Sequence, residues 1–269
     1  MYIERTNSTN SLLKELLAKG EWPADEHFLR AGFQAAGRGQ TGNGWESEAD
    51  KNLLCSILID ISHQPSAFSP FYLNVAASVA VRRVIQSNLY QRSGLTSISE
   101  AVSIKWPNDI YWGDKKLAGI LIENAIIGSE IKYSIAGIGL NVNQTEFVSN
   151  APNPISLKQI TGKEYDIDAL MKNLYDEVQR VLKEDVWAEY RAHLYRKEGF
   201  WPFVEREVSM APTMNANSQE LTAISHQPSA VSPFLARIED ILPTGEIVLC
   251  DQQGNRRTYH FKQIRYVVN

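Results

Sequence analysis

The chain has 269 residues, of which 43% are hydrophobic and 22% charged, and its formal net charge is −4 with a pI near 5.8. This composition excludes intrinsic disorder and suits one large globular domain with a small one. No apolar run reaches the length of a membrane span, and residues 1–7 do not resemble a signal peptide. The excess of acidic residues disfavours duplex DNA as a partner. We therefore expect a cytoplasmic protein without membrane or DNA contacts.

The first predicted helix follows Ser8-Thr9-Asn10, because leucines recur at helical spacing from residue 11 to 19 and Gly20 stands at the C-terminal end. Considered alone, Ser8 and Thr9 are typical N-capping residues. Residues 28–34 then predict a strand. Its last residue, Gln34, either holds a ligand or merely closes the strand.

A glycine-rich stretch follows this strand, with four of the chain's 16 glycines between Gly37 and Gly44 and with Arg38 and Trp45 beside them. Such a backbone can close over an anionic, flat ligand such as a phosphate and a base, or it can be a surface loop that binds nothing. The glycine spacing also matches the dinucleotide-binding fingerprint. That fingerprint requires a helix at the third glycine, whereas here polar residues lead directly into a strand at 53–61.

The middle of the chain alternates a core helix with strands. Residues 70–90 predict a helix, with Arg82 and Arg83 directed outward. Lys105-Trp106-Pro107-Asn108-Asp109 then places a cation, an aromatic ring, an amide and an acid together, either in a site or in a hairpin turn with Trp106 in the core. Residues 110–112 and 115–123 predict a β-hairpin, in which Lys116 begins the returning strand.

The strand predicted at 131–142 contains Gly137 and Gly139. Glycines weaken a strand unless a ligand or another chain segment must approach closely, so Asn141 at its end is a candidate polar contact. A short helical turn at 155–160 and one long helix at 166–193, or two with a break near Asp185, follow.

After residue 203 the pattern changes to short β runs separated by turns, at 204–210, 234–241, 246–251, 256–261 and 264–268. We therefore expect two domains, residues 1–200 and 203–269, the second a small β-barrel. The cysteines, Cys55 and Cys250, lie far apart in apolar runs, which favours buried free thiols over a disulfide, a metal site or a nucleophile.

One segment occurs twice, because residues 61–71 and 224–234 differ at a single position in eleven. Two distant copies do not make a repeat protein. We predict an exposed loop at 225–233 and do not expect His63 and His226 to form a metal site.

The order of these motifs along the whole chain resembles that of the biotin–protein ligase family. The motifs are Ser8-Thr9-Asn10, Gln34-x-x-Gly37-Arg38-Gly39-x-x-Gly42-x-x-Trp45, Lys105-Trp-Pro-Asn-Asp109, Lys116-x-x-Gly119-x-x-x-Glu123 and Gly137-x-Gly139-x-Asn141-x-Asn143.

The resemblance implies an α+β fold, with a mixed sheet flanked by helices as the catalytic domain and a C-terminal SH3-like β-barrel. It also implies that biotin and MgATP form biotinoyl-AMP and pyrophosphate, and that a lysine of a biotin carboxyl carrier domain then attacks the adenylate. ATP with Mg²⁺ would be used, without a redox cofactor or a structural metal.

Roles for individual residues follow from matching positions. Lys116 and Arg38 would bind the biotin carboxylate and the phosphates, and Asp109 would orient or activate the acceptor lysine. The biotin site implied is Ser8, Thr9, Asn10, Gln34, Gly37, Arg38, Lys116, Gly119 and Gly137. The ATP site implied is Arg38, Gly39, Trp45, Asn108 and Asn141, with Mg²⁺ near Asn108 and Asn141.

Two departures from the family pattern matter. Many members have arginine where this chain has Gln40 and a basic residue where it has Asn43, so binding by this loop would depend more on Arg38 and on backbone amides. The Ser-Thr-Asn motif already stands at residue 8, which leaves no room for the DNA-binding domain that some members carry. A lipoate or octanoate ligase is the nearest alternative function.

Overall fold

The computed structural model describes residues 1–40, 44–61, 69–94, 97, 100–127, 130–148, 153–206 and 232–267. The chain divides into two compact units, Met1–Tyr195 and Arg196–Asn269. Among the helices in these ranges, none is long and apolar enough to cross a membrane.

The first unit is a seven-stranded mixed sheet with helices packed on it. Its strands are β1 (Tyr2–Thr6), β2 (Phe28–Gln34), β3 (Leu53–Asp60), β4 (Val102–Lys105), β5 (Asp109–Trp112), β6 (Lys115–Ile127) and β7 (Glu130–Leu140). Its described helices are α1 (Thr9–Lys19), α2 (Tyr72–Ser93), α3 (Leu157–Thr161), α4 (Ile167–Val181) and α5 (Trp187–Ala192). The strand order is β1-β2-β3-β7-β6-β5-β4, and only the pair β1 and β2 is parallel.

The long pair β6 and β7 lies near the middle of this sheet. Helix α1 packs against the sheet through Leu13, which is buried with Leu29 and Ile135. Burial of these side chains removes apolar surface from water and fixes the first turn of α1 above the sheet.

Helix α2 is buried along most of its length, and the prediction that Arg82 and Arg83 both point outward is wrong. Arg82 is buried, donates through Nε to the Val102 carbonyl at 3.1 Å, and lies 3.6 Å from Glu189. Desolvation lowers the pKa of Arg82 to about 10. Its neighbour Arg83 is only 22% exposed and pairs with Glu177, Glu184 and Glu189. Arg82 is buried because the Val102 carbonyl and Glu189 lie beside its guanidinium donors.

The second unit is a five-stranded antiparallel sheet. Its strands are β8 (Trp201–Glu205), β9 (Phe234–Ile241), β10 (Ile247–Asp251), β11 (Arg256–Tyr259) and β12 (Ile264–Tyr266), in the order β11-β10-β9-β8-β12. Phe203, Ile238, Ile247 and Leu249 form its buried face together with Tyr266. The predicted fold class, a mixed α+β sheet with a separate C-terminal β unit, is confirmed.

Several element boundaries differ from the predictions. Strand β8 begins at Trp201, three residues before the predicted start at 204, and ends at Glu205; residues 207–210 of the prediction lie outside the described residues. Pro202 lacks a donor, but its carbonyl accepts from the Val267 N–H at 3.0 Å. Strand β1 was not predicted, because its five residues are mostly exposed and carry no apolar alternation.

Other predictions are confirmed. The long helical region is broken between Val181 and Trp187, and both cysteines are free and buried. The repeated segment and the two histidines at 63 and 226 lie largely outside the described residues. So does the loop predicted at 225–233, except that Ser232 and Pro233 are exposed.

Candidate functional site

A strip of bare backbone runs along the central pair of strands. Gly119 of β6 faces Gly139 of β7, and Gly137 faces Leu121 two positions further along. Because these glycines carry no Cβ, other side chains lie directly on the sheet there. The strip is the floor of the candidate site.

Trp45 covers one part of this floor. A Cβ built on Gly139 would lie 2.5 Å from Trp45 Cε2, and one built on Gly119 would lie 3.0 Å from Cζ3 of the same indole. The indole Nε1 is buried and has no hydrogen-bond partner among the described residues. Because this buried N–H has no partner among the described residues, an acceptor atom of a ligand can bind to it.

The glycine-rich stretch folds back on itself to place this indole. The Trp45 N–H donates to the Gly37 carbonyl at 2.9 Å, and Arg38 forms a bridge with Gly44. A Cβ on Gly37 would overlap the Trp45 carbonyl oxygen. Gly37 is therefore required for the closure of the stretch, and Gly39 follows directly after the bridge.

A buried amide network anchors the far side of the stretch. Asn52 donates to Ser47 Oγ at 3.1 Å and to Gln144 Oε1 at 2.6 Å, and it accepts from the Val142 N–H at 2.9 Å. Gln144 also accepts from the Glu48 N–H. Sequence reasoning missed Asn52 and Gln144, although amides flanking a strand are a signal for such a network.

Lys116 and Asp109 form an ion pair at one end of the floor. Their charged atoms are 2.7 Å apart, and the side chains are 24% and 27% exposed. The register between β5 and β6 shifts beside Lys116, which also binds the 153–155 segment through its own N–H and carbonyl. The ammonium lies 5.7 Å from the centroid of the Trp45 ring, so it can meet an anion placed beside the indole.

Buried polar groups lie at the start of α1. Gln34 Oε1 accepts from both the backbone N–H and the hydroxyl of Thr9, at 2.7 and 3.1 Å. Ser8 occupies the N-cap position, yet its side chain makes no capping hydrogen bond. Ser8 is therefore not a simple capping residue, and the N–H of Thr9, the first residue of the helix, is satisfied by the side chain of Gln34.

Glu123, at the other end of the floor, accepts hydrogen bonds from three side chains. Its Oε2 accepts from Asn10 Nδ2 at 2.7 Å and from Arg38 Nη2 at 2.9 Å, and its Oε1 accepts from Lys14 Nζ at 3.0 Å. Burial raises the pKa of Glu123, but the hydrogen bonds from Asn10 and Lys14 and the nearby cations outweigh burial and bring this pKa below its usual value. The carboxylate is thus ionised at neutral pH.

Arg38 and Lys116 are paired with different acids. Asp109 lies opposite Gly119, whereas Glu123 stands four residues further along β6, which corresponds to about 13 Å of strand. The sequence predicts that both cations meet the same carboxylate and phosphates. The structure does not bring them together.

Asn108 and Asn141 are buried, and their amide nitrogens bind backbone. Asn108 donates to the Ile120 carbonyl, and Asn141 donates to the Ile155 carbonyl at 3.1 Å. Among the described residues, no cluster of three His, Cys, Asp or Glu side chains could hold a metal ion. Both Nδ2 atoms thus hold backbone, and the contact of Asn108 and Asn141 with phosphates and Mg²⁺ stays a prediction.

Comparison with known proteins gives a consistent result. Residues 2–141, just over half of the chain, match the model of the biotin/lipoate A/B protein ligase family. The biotin--[acetyl-CoA-carboxylase] ligase of Mycobacterium tuberculosis is 30% identical over 198 residues, which are 71% of this chain and 68% of that protein. The bifunctional ligase/repressor BirA of Escherichia coli is 27% identical over 202 residues, and the match covers 74% of this chain but only 55% of that protein.

The fold is also found among solved structures. The biotin protein ligase of Aquifex aeolicus in complex with biotin and ATP superposes with a TM-score of 0.69 at 19% identity, covering 99% of this chain and 98% of that one. The ligase of Leishmania major in complex with biotinyl-5-AMP gives a TM-score of 0.61 over 96% of this chain and 97% of that one, also at 19% identity.

Proposed function

Because this chain belongs to the biotin/lipoate A/B protein ligase family, we propose that it is a biotin–protein ligase. It activates biotin with ATP to biotinoyl-AMP and transfers the biotinoyl group to a lysine of a carrier domain. The observation that carries the proposal is the glycine floor, with buried polar groups on one side and the Lys116–Asp109 pair beside Trp45 on the other.

The uncharged part of biotin suits the polar groups at the start of α1. A ureido group has two N–H donors and a carbonyl acceptor, and Ser8, Thr9 and Gln34 provide hydroxyls and an amide for them. The glycines at 119 and 139 allow the valeryl chain to lie against the backbone once the indole of Trp45 has moved over it.

The first chemical step joins two anions. A carboxylate oxygen of biotin attacks the α-phosphorus of ATP, the bond to the β-phosphate oxygen breaks, and pyrophosphate leaves with the electron pair. Lys116 lowers the repulsion between carboxylate and phosphate and stabilises the charge of the transition state. Arg38 must first exchange its single contact with Glu123 for the ligand.

The second step uses the adenylate as an acylating agent. The amine of the acceptor lysine attacks the biotinoyl carbonyl carbon, AMP leaves with the electron pair of the broken bond, and the amine loses a proton. Asp109 lies beside Lys116 and is the carboxylate best placed to orient the incoming amine.

Magnesium fits this scheme as the companion of the triphosphate. Mg²⁺ is normally bound through substrate phosphates and few protein groups. Asn108 and Asn141 each donate through Nδ2 to a backbone carbonyl, which fixes the amide so that Oδ1 is the atom that would meet Mg²⁺. We propose that they fix the strand ends around Lys116.

The partner we propose is the biotin carboxyl carrier domain of a biotin-dependent carboxylase, with the reaction taking place in the cytoplasm. We assign the catalytic role to the unit Met1–Tyr195 and an SH3-like architecture to the unit Arg196–Asn269.

Pyrophosphate release by the purified protein with MgATP tests the substrate. We expect release with biotin and none above background with lipoate or octanoate. Release with lipoate alone would replace this proposal by a lipoate ligase.

A further inference from the structure

Glu123 is a titratable group that the proposed chemistry does not use, yet it binds three donors. Its side chain is 17% exposed, and all three partners, Asn10, Lys14 and Arg38, approach with N–H groups. A neutral amide at this position would direct its own NH₂ at one of these donors. The position therefore requires a carboxylate.

The contact with Asn10 is the best defined of the three. Asn10 is 3% exposed, and its Oδ1 accepts from the buried Ser56 hydroxyl at 2.5 Å while its Nδ2 donates to Glu123. Because one end of the amide faces a hydroxyl and the other a carboxylate, the amide cannot reverse. The chain of contacts fixes both the place and the polarity of Asn10.

The contact with Arg38 is weaker. Only Nη2 bonds to the carboxylate, and the Arg38 side chain is 44% exposed. Exposed single-contact ion pairs contribute little to stability, whereas a phosphate can accept two parallel hydrogen bonds from a guanidinium. Arg38 can therefore leave Glu123 when an anionic ligand binds, while Asn10 stays.

Resting on the proposed function, we propose that Glu123 is a positioning residue of the biotin site, which holds the side chain of Asn10 in the orientation that biotin binding requires. Glu123 acts through Asn10 and does not touch the reacting atoms. Its effect falls on biotin, because Asn10 lies with Thr9 and Gln34 at the start of α1. Loss of the Arg38 contact with Glu123 frees that cation for the phosphates, so it does not weaken ATP binding.

Steady-state pyrophosphate release, with an isolated biotin carboxyl carrier domain present to take the biotinoyl group from the adenylate, separates this role from a structural one. Glu123→Gln should raise the KM for biotin at least tenfold, with the KM for ATP unchanged or lowered and kcat within threefold of wild type. Glu15→Gln is the matched control, because Glu15 lies on the same helix as Asn10 and its carboxylate pairs with the exposed Lys19. It should change none of these values.

A second variant tests the contact itself. In wild type, Asn10 Nδ2 donates to Glu123 Oε2 at 2.7 Å. Asn10→Asp alone replaces this hydrogen bond by two carboxylates that repel each other, so it should raise the KM for biotin strongly. Adding Glu123→Gln to it restores a donor opposite a carboxylate and should lower that KM at least tenfold. The double variant also keeps the net charge of the cluster.

Three outcomes decide the matter. Wild-type release that depends on biotin, together with the two KM effects above, supports the role. A Glu123→Gln variant with the same KM for biotin as Glu15→Gln, or a double variant worse than Asn10→Asp, overturns it while the proposed function stands. Equal increases in both KM values with a lower melting temperature assign Glu123 to folding and also overturn it.

Discussion

Gly137→Ala should destabilise the first unit by removing the room in which Asn10 lies. A Cβ on Gly137 would overlap Asn10 Oδ1 and would lie 2.8 Å from both Cγ and Nδ2 of that side chain. Asn10 would have to move, which breaks its hydrogen bonds to Glu123 and to the fully buried Ser56 hydroxyl.

The magnitude follows from these two hydrogen bonds. A hydrogen bond to a charged group contributes about 1.5–3 kcal/mol, and a buried hydroxyl left without a partner costs about 1–3 kcal/mol. We therefore expect Gly137→Ala to lower the free energy of unfolding by about 2.5–6 kcal/mol. Urea denaturation followed by circular dichroism measures this as a lower midpoint at an unchanged slope.

Two controls show whether the overlap is the cause. Gly44→Ala should change stability by less than about 0.5 kcal/mol, because a Cβ there lies 3.7 Å from its nearest neighbour, an ordinary contact. In an Asn10→Ala background, Gly137→Ala should cost less than about 1 kcal/mol, because the overlapping side chain is gone. Additive effects in this cycle, or a wild-type midpoint for Gly137→Ala, would refute the reasoning.

Three further predictions concern the floor and its two ends. Lys116→Ala should reduce biotin-dependent pyrophosphate release at least about 100-fold with an unchanged circular dichroism spectrum, and near-normal turnover would remove this residue from the site. Gly139→Ala should displace the indole of Trp45 and change the fluorescence emission of the protein, whereas the same substitution in a Trp45→Phe background should leave the emission unchanged. An emission that Gly139→Ala does not change in the wild-type background contradicts the packing. Folding lowers the pKa of Glu123, so the ionised carboxylate stabilises the fold fully above a pH of about 4.3, and this stabilisation is lost as the pH falls through the lower pKa of the folded state. Glu123→Gln should therefore lose less stability than wild type between pH 7 and pH 3 in thermal melts. Equal losses in the two proteins would contradict this.

Local patterns predicted most of the elements, because helical leucine spacing, β-branched runs and turn glycines act over a few residues. Strand Phe28–Gln34 and strand Phe234–Ile241 were predicted to the residue. Strand Tyr2–Thr6 was not, since it exists only through parallel pairing with a strand more than 20 residues away. Its own residues give no signal for that pairing.

The sequence also predicted that something approaches the backbone at Gly137 and Gly139, but not what. In the structure Asn10 and Trp45 occupy these places. That result depends on the register between strands and on where α1 and the glycine-rich stretch cross the sheet, which no local pattern encodes. The pairing of Arg38 with Glu123, 85 residues apart, was missed for the same reason.

Mass spectrometry of the products tests the central claim most directly. The purified protein is incubated with biotin and MgATP, first alone and then with an isolated biotin carboxyl carrier domain. We expect biotinoyl-AMP in the first reaction. In the second reaction, we expect the carrier domain to become heavier by one biotinoyl group on a single lysine. A carrier domain that stays unmodified while a lipoyl or octanoyl acceptor domain is acylated from its own acid would contradict it.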